Sequence, residues 1–240
     1  MLLIQNMYDL MRPQLFFRKT HKWIGLILVI QFILWFFSGF LMSWMPIEEI
    51  HGDHLLNDIP TRTIDPDYLD LSGIAKKIKE PVLSARIKPW LEQQVLELKT
   101  NNQTQIYTLP DFKLLSPLNE QQVRSVIKFH IIPDYEINQI NLLDEVPTEA
   151  RGRKAPLWQV QLDGPENPRI YISTSTGEIV AKRTDRWRLF DFLWMLHIMD
   201  YDEREDFNHP LLYITAFSAL IFTLTGLVLL YFTLKPRKSV

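Results

Sequence analysis

The chain alternates between two textures. Two long apolar stretches, Trp23–Met45 and Pro210–Leu234, contain no Asp, Glu, Lys or Arg, and they frame a polar middle of mixed composition. A helix rises ~1.5 Å per residue, so each stretch can cross a hydrocarbon core of roughly 30 Å, and both are predicted to be membrane-spanning helices, at 23–45 and 210–234. Trp23, Trp35 and Trp44 in the first, with Tyr213 and Tyr231 in the second, include the interfacial aromatics expected at span ends. A core helix of a soluble protein is seldom uncharged for so long. A signal peptide fits the first stretch poorly: its apolar run is too long, the 22 residues before it are too many, and no small-residue cleavage site follows Trp44. It reads as a retained span.

The middle has a weak internal repeat at an offset of 64 residues. Val95-Leu96-Glu97-Leu98 lines up with Gln159-Val160-Gln161-Leu162, Ile106-Tyr107 with Ile170-Tyr171, and Asp111–Leu115 with Ser175–Ile179. Each unit opens with a short predicted helix, near Leu71–Lys79 and near Asn119–Phe129, the second preceded by capping side chains between Ser116 and Asn119. Strand-like runs follow at 83–88, 94–99 and 104–109, then at 137–143, 157–163 and 168–174. Thr176-Gly177 marks a turn before a last short strand, Glu178–Ala181. The expected fold class is α+β, with two transmembrane helices flanking a domain of two tandem units, each a helix plus antiparallel strands. A further aromatic-rich segment near 187–199 is expected to form an interfacial helix.

Charge orients this arrangement. Residues 1–22 carry Arg12, Arg18, Lys19 and Lys22 against Asp9, net +3, and Lys235, Arg237 and Lys238 give the 235–240 tail another +3. The whole-chain charge of −2 therefore leaves −8 on residues 46–209. Positive flanks stay in the cytoplasm, so both termini are expected inside and 46–209 outside, which fits a bacterial inner membrane with a periplasmic domain. The mean hydropathy of −0.06 averages two lipid spans with a polar domain. The near-neutral total gives no reason to expect nucleic acid.

Cysteine is absent. That removes disulfides, thiolate zinc sites, iron–sulfur clusters, c-type haem attachment and any Cys nucleophile. The eight glycines never fall into a dinucleotide or P-loop spacing, so no flavin or nicotinamide site is expected, and neither G-x-S-x-G nor H-E-x-x-H occurs. What remains is histidine. Five of the six His, namely His21, His51, His54, His197 and His209, lie at or near a predicted membrane boundary; His130 ends the second repeat helix and reads as structural. An ionisable side chain at such a position is a functional candidate, and a neutral imidazole is the natural haem ligand in a chain without Cys.

Each has a plainer reading as well. His21 stands beside Arg18, Lys19 and Lys22, where it could simply snorkel. Phe190, Trp194, His197 and Tyr201 share a face if 187–201 is helical, which suits the wall of a haem pocket or a helix lying in the interface. His209 precedes Pro210 and reads equally as a helix cap. His51-Gly52-Asp53-His54 could hold a transition metal or support a haem, though two His and an Asp in a loop recur by chance. Gly25, Ser38, Gly39, Ser218 and Gly226 are small residues that let helices approach closely or admit a flat macrocycle. His21 and His209 fall on opposite membrane faces and cannot share one haem within a chain. Two spans cannot enclose a haem, whereas four can, so a homodimer forming a four-helix bundle is expected.

Ile170-Tyr171-Ile172-Ser173 through Thr176-Gly177-Glu178-Ile179-Val180 is similar to the end of a PepSY unit. Arg18-Lys19-Thr20-His21-Lys22-Trp23-Ile24-Gly25 resembles the opening of the PepSY-associated transmembrane proteins, and Ser38-Gly39, Leu196-His197 and Thr225-Gly226-Leu227 resemble their later motifs. The shorter two-span branch, of the VciB type, looks most similar; this chain lacks the extra helices of larger members. The resemblance implies haem b held by His21, His197 and His209, with His54, His51 and Trp194 as weaker candidates. It also implies electron transfer from a quinol or separate donor to ferric iron or a ferric siderophore, with a ferrous iron transporter as a further partner. The catalytic residues are not indicated. The competing implication is a membrane-anchored interaction module that binds or inhibits a peptidase, or assists another membrane protein, without redox activity.

Overall fold

The computed structural model describes residues 13–57, 63 and 81–235. The helix expected near Leu71–Lys79 lies outside the described residues, as do 1–12 and 236–240. The chain divides into two compact units, one made of its two ends, up to Met45 and from Phe190, the other of Pro46–Leu189.

The first unit is built on α1 (Pro13–Trp44) and α5 (Pro210–Leu234), which pack along each other. Both are long and apolar enough to cross a membrane, and their packing is inverted relative to a water-soluble core. Ile27 and Phe36 are 77% and 74% exposed, whereas Ser38, Thr215 and Thr225 are buried. Bulky apolar chains face outward, where only lipid can receive them, and small polar residues form the seam, as lipid-embedded helix pairs require. This is a membrane protein with a domain between its two spans. α1 starts ten residues before the apolar stretch, with Pro13 in its first turn, where its missing N–H costs nothing. Arg18, Lys19 and Lys22 therefore lie on helix. Pro210 opens α5 in the same manner, with His209 at the N-cap.

The second unit holds a short helix, α2 (Ile47–Ile50), a 3₁₀ turn at Asp53–Leu55, and two antiparallel sheets. The first sheet orders β1 (Val82–Trp90), β2 (Gln93–Thr100) and β3 (Thr104–Thr108); the second orders β4 (Glu136–Leu143), β5 (Leu157–Asp163), β6 (Arg169–Ser173) and β7 (Ile179–Arg183). Between them runs α3 (Glu120–His130), opened by a reciprocal capping box between Asn119 and Gln122. Its Val123, Val126 and Ile127 meet Val95, Ile106, Val160 and Ile170 in one core.

The repeat is visible as structure. β2 and β5 are both interior strands, β3 and β6 follow them at the same offset, and a single Leu114–Tyr107 bridge stands where β7 pairs with β6. β7 continues to Arg183, two residues beyond the expected end. The symmetry breaks between the first two strands of each sheet. Leu91-Glu92 suffices to join β1 to β2, whereas residues 144–156, including a 3₁₀ turn at Thr148–Ala150, join β4 to β5. From β7 the chain enters α4 (Asp185–Ile198), whose last turns belong to the helical unit.

Candidate functional site: two histidine seats in the helical unit

His21 projects from α1 onto α5. Its Nδ1 lies 3.0 Å from the Phe222 carbonyl oxygen and 3.0 Å from Thr225 Oγ1. A carbonyl only accepts, so Nδ1 carries the proton. The Thr225 hydroxyl spends its own proton on the same carbonyl at 2.7 Å, and so accepts from the ring. Nδ1 is thereby the donor nitrogen of the ring, and Nε2 has no hydrogen-bond partner among the described residues. The Phe222 ring stacks on it at 4.0 Å and 14°. Gly226 makes the close approach possible, because a Cβ there would stand 3.1 Å from Cε1 of the ring.

His197, in the last turn of α4, is seated against α1 by the same chemistry. Its Nδ1 lies 3.1 Å from Ser38 Oγ. Ser38 donates its proton to the Leu34 carbonyl at 2.6 Å, so it accepts from Nδ1–H, and Nε2 again has no hydrogen-bond partner among the described residues. A Cβ on Gly39 would come within 3.3 Å of Cε1. Trp35 Nε1 donates to the His197 carbonyl at 2.8 Å, anchoring the end of α4. The seats are thus reciprocal: α1 lends a His to the Thr225-Gly226 pair of α5 and offers its own Ser38-Gly39 pair to a His from α4. Eighteen residues of α1 separate His21 from Gly39, about 27 Å along the axis at ~1.5 Å per residue.

The other predicted residues stand differently. His209 donates from Nε2 to the Ile198 carbonyl at 2.9 Å, tying the start of α5 to the end of α4. Trp194 donates from Nε1 to the Arg204 carbonyl at 3.3 Å and meets Phe207 edge-on at 5.5 Å. Tyr201 is past the helix end and exposed, so it does not continue the Phe190–Trp194–His197 face. His51 and His54 belong to the sheet unit and are exposed; the Asp53 between them is drawn to Lys182 at 2.8 Å, and that hydrogen bond holds its carboxyl below the usual range. Among the described residues no three His, Asp or Glu side chains gather to hold a metal ion. His130 in α3 is half-buried, and desolvation pushes its imidazole below the usual histidine range, as expected of a structural His.

Sequence reasoning did not foresee that the Ser-Gly and Thr-Gly pairs are the histidines' seats. The available signal was one hydroxyl–glycine dipeptide in each span. It also missed the clasp over the α4–α5 loop, where Arg204 Nη1 lies 2.5 Å from the buried carboxylate of Asp191. Asp200 organises the same loop by accepting from the backbone N–H groups of Asp202, Glu203, Glu205 and Asp206, which holds its carboxyl low.

Residues 18–240 match the family described as the PepSY-associated TM region, and the chain belongs to that family. Neither a curated protein nor a solved structure matches it.

Proposed function

We propose that this PepSY-associated membrane protein is an inner-membrane haem-b protein of the two-span ferric-reductase type. It passes electrons to ferric iron or a ferric siderophore in the periplasm and so supports ferrous iron uptake. The observation that carries the reading is the pair of seated histidines. A metal-ligating His commonly donates its second ring N–H to a carbonyl or other acceptor, which fixes tautomer and orientation. His21 and His197 both have that arrangement, each with a glycine where a side chain would crowd the ring. The residues fit a ligating role: His21 and His197 would hold haem through Nε2, while His209 tethers the α4–α5 loop. When bound, haem supplies one-electron transfer.

The remaining features fit around this. Within a chain each seat offers one imidazole, so a second imidazole would come from the same His of a two-fold mate, and four spans would give the enclosure that two cannot. Net +3 at each end against −8 between supports an orientation with His21 on the cytoplasmic side and His197 toward the periplasm. Quinol in the bilayer is the proposed donor: one quinol gives two electrons to two ferric ions and becomes quinone with release of two protons. Reduced iron binds hard oxygen donors more weakly and is freed for a ferrous transporter.

The test is an absorption spectrum of the chain purified in detergent after expression with ample haem. A Soret band that falls in His21→Ala and in His197→Ala is expected. Colourless wild-type protein would overturn the reading and favour a tethered interaction module.

A further inference from the structure

The loop that breaks the repeat carries Arg153 and Lys154, which meet no carboxylate among the described residues. Residues 144–156 end in Arg151-Gly152-Arg153-Lys154, turned by Gly152 at φ +74°. With the β2–β3 hairpin and the turn before β7, this segment lines a cleft of about 680 Å³, a volume ordinary for a small-molecule site. Lys99, Arg153 and Lys154 line it, and none of the three has a carboxylate partner among the described residues. Glu178, the carboxylate in the described lining, is already held by Lys88 at 2.5 Å and Arg86 at 3.2 Å.

Pairing is the habit elsewhere in this unit. Arg169 and Arg188 meet at Glu149, Lys182 reaches Asp53, Arg124 reaches Glu120, and Arg186 takes Glu166 and Glu49. Among the described residues Lys113 and Lys128 also lack a carboxylate but stand singly, whereas Lys99, Arg153 and Lys154 bring three unpaired cations to one cleft of a 46–209 region of net −8.

The wall is built in advance. Ser116 Oγ accepts from the Ile106 N–H at 2.9 Å and donates to the Ser175 carbonyl at 2.5 Å, while Thr174 donates to the Pro156 carbonyl at 2.9 Å. These hydroxyls satisfy one another and the backbone. The groups left to meet a ligand include the three cations and the side-chain amides of Asn101, Asn102 and Gln103.

We propose that this cleft is a binding site for a small polyanionic, oxygen-rich iron(III) chelate of the polycarboxylate class. That the bound anion carries iron rests on the reductase reading above; the preference for a polyanion rests on the cleft. The acidic domain as a whole repels such a complex, so the cationic cleft is what admits it.

Titration calorimetry on the full chain in detergent tests this, with iron(III) citrate, iron-free citrate and inorganic phosphate as probes. Iron(III) citrate should bind more tightly than either other probe, and more weakly as salt is raised. K99Q/R153Q/K154Q should lose about tenfold or more in affinity, K154Q alone should lose part of that, and K113Q should lose nothing, all with unchanged thermal midpoints. Absence of binding, or equal binding by wild type and the triple variant, overturns the site. Equal binding of iron-free citrate or phosphate overturns the iron(III) assignment. Absorption spectra of the same samples keep the two readings apart: a Soret band without citrate binding defeats only the cleft, and binding without a Soret band defeats only the reductase.

Discussion

The seat of His21 and the seat of His197 use the same three parts, an imidazole, a hydroxyl and a glycine, yet they secure the ring by different means. At His21 the ring itself is gripped: two acceptors share Nδ1–H, and Phe222 lies flat against one face. At His197 one hydroxyl takes Nδ1–H, and the residue is steadied through its backbone, where Trp35 holds the carbonyl. The first seat is redundant at the ring and the second is not. An orienting hydrogen bond should therefore matter more where it stands alone.

Removing the ligands has the largest expected effect. Either His→Ala variant should lose about half of the haem per chain and the double variant nearly all, read from Soret absorbance against protein concentration; full retention in both single variants would sink the assignment. Filling the seats comes next. Gly226→Leu and Gly39→Leu place atoms where a Cβ is already 3.1 and 3.3 Å from the ring, and each should displace its own haem while sparing the other, resolved by redox titration. The hydroxyls then separate the seats. Ser38→Ala leaves Nδ1–H without its acceptor and should weaken haem retention about 10–100-fold. Thr225→Val keeps the Phe222 carbonyl and should cost much less. Equal losses would refute the claimed redundancy.

The smallest effect concerns a His outside both seats. His130 resists protonation in the folded chain because it is half-buried. Between its folded pKa and the ordinary value of 6.5 the unfolded chain binds more protons, so stability should decline as pH falls below about 6.5. His130→Gln should flatten that decline in thermal melts and leave the Soret band alone.

The spans and strands were legible because they are local patterns: uncharged runs for α1 and α5, alternation over Leu96–Lys99 in β2, an Ile-Tyr-Ile run for β6, capping side chains before α3. The repeat survived in β2/β5 and β3/β6 because the offset is constant there, and the extra loop before β5 hid it in the preceding strands. α1 reaches back to Pro13 because charge stops a lipid span without stopping a helix. The seats were out of reach for another reason. His21 meets Thr225 across 204 residues of chain and His197 meets Ser38 across 159, and no periodicity encodes a contact between helices. Ser38 and Gly39 read from sequence as packing residues, and they are packing residues, with an imidazole as what they pack. The Arg204–Asp191 clasp left no trace, since it ties a residue of an irregular loop to one buried in α4, and no periodicity links the two.

Both spans are greasy on every side, so no apolar stripe tells one how far to slide or turn against the other. The seats supply that information like two bolts through a joint: His21 pins α1 to α5, and His197 pins α1 to α4, whose end the His209–Ile198 hydrogen bond ties to the start of α5. One bolt alone would let the rods pivot; two, some 27 Å apart at ~1.5 Å per residue, fix both sliding and rotation. Inserting a single residue into α1 between His21 and Ser38 would swing one end by about 100° relative to the other. One bolt hole would then be out of line, with neither histidine touched.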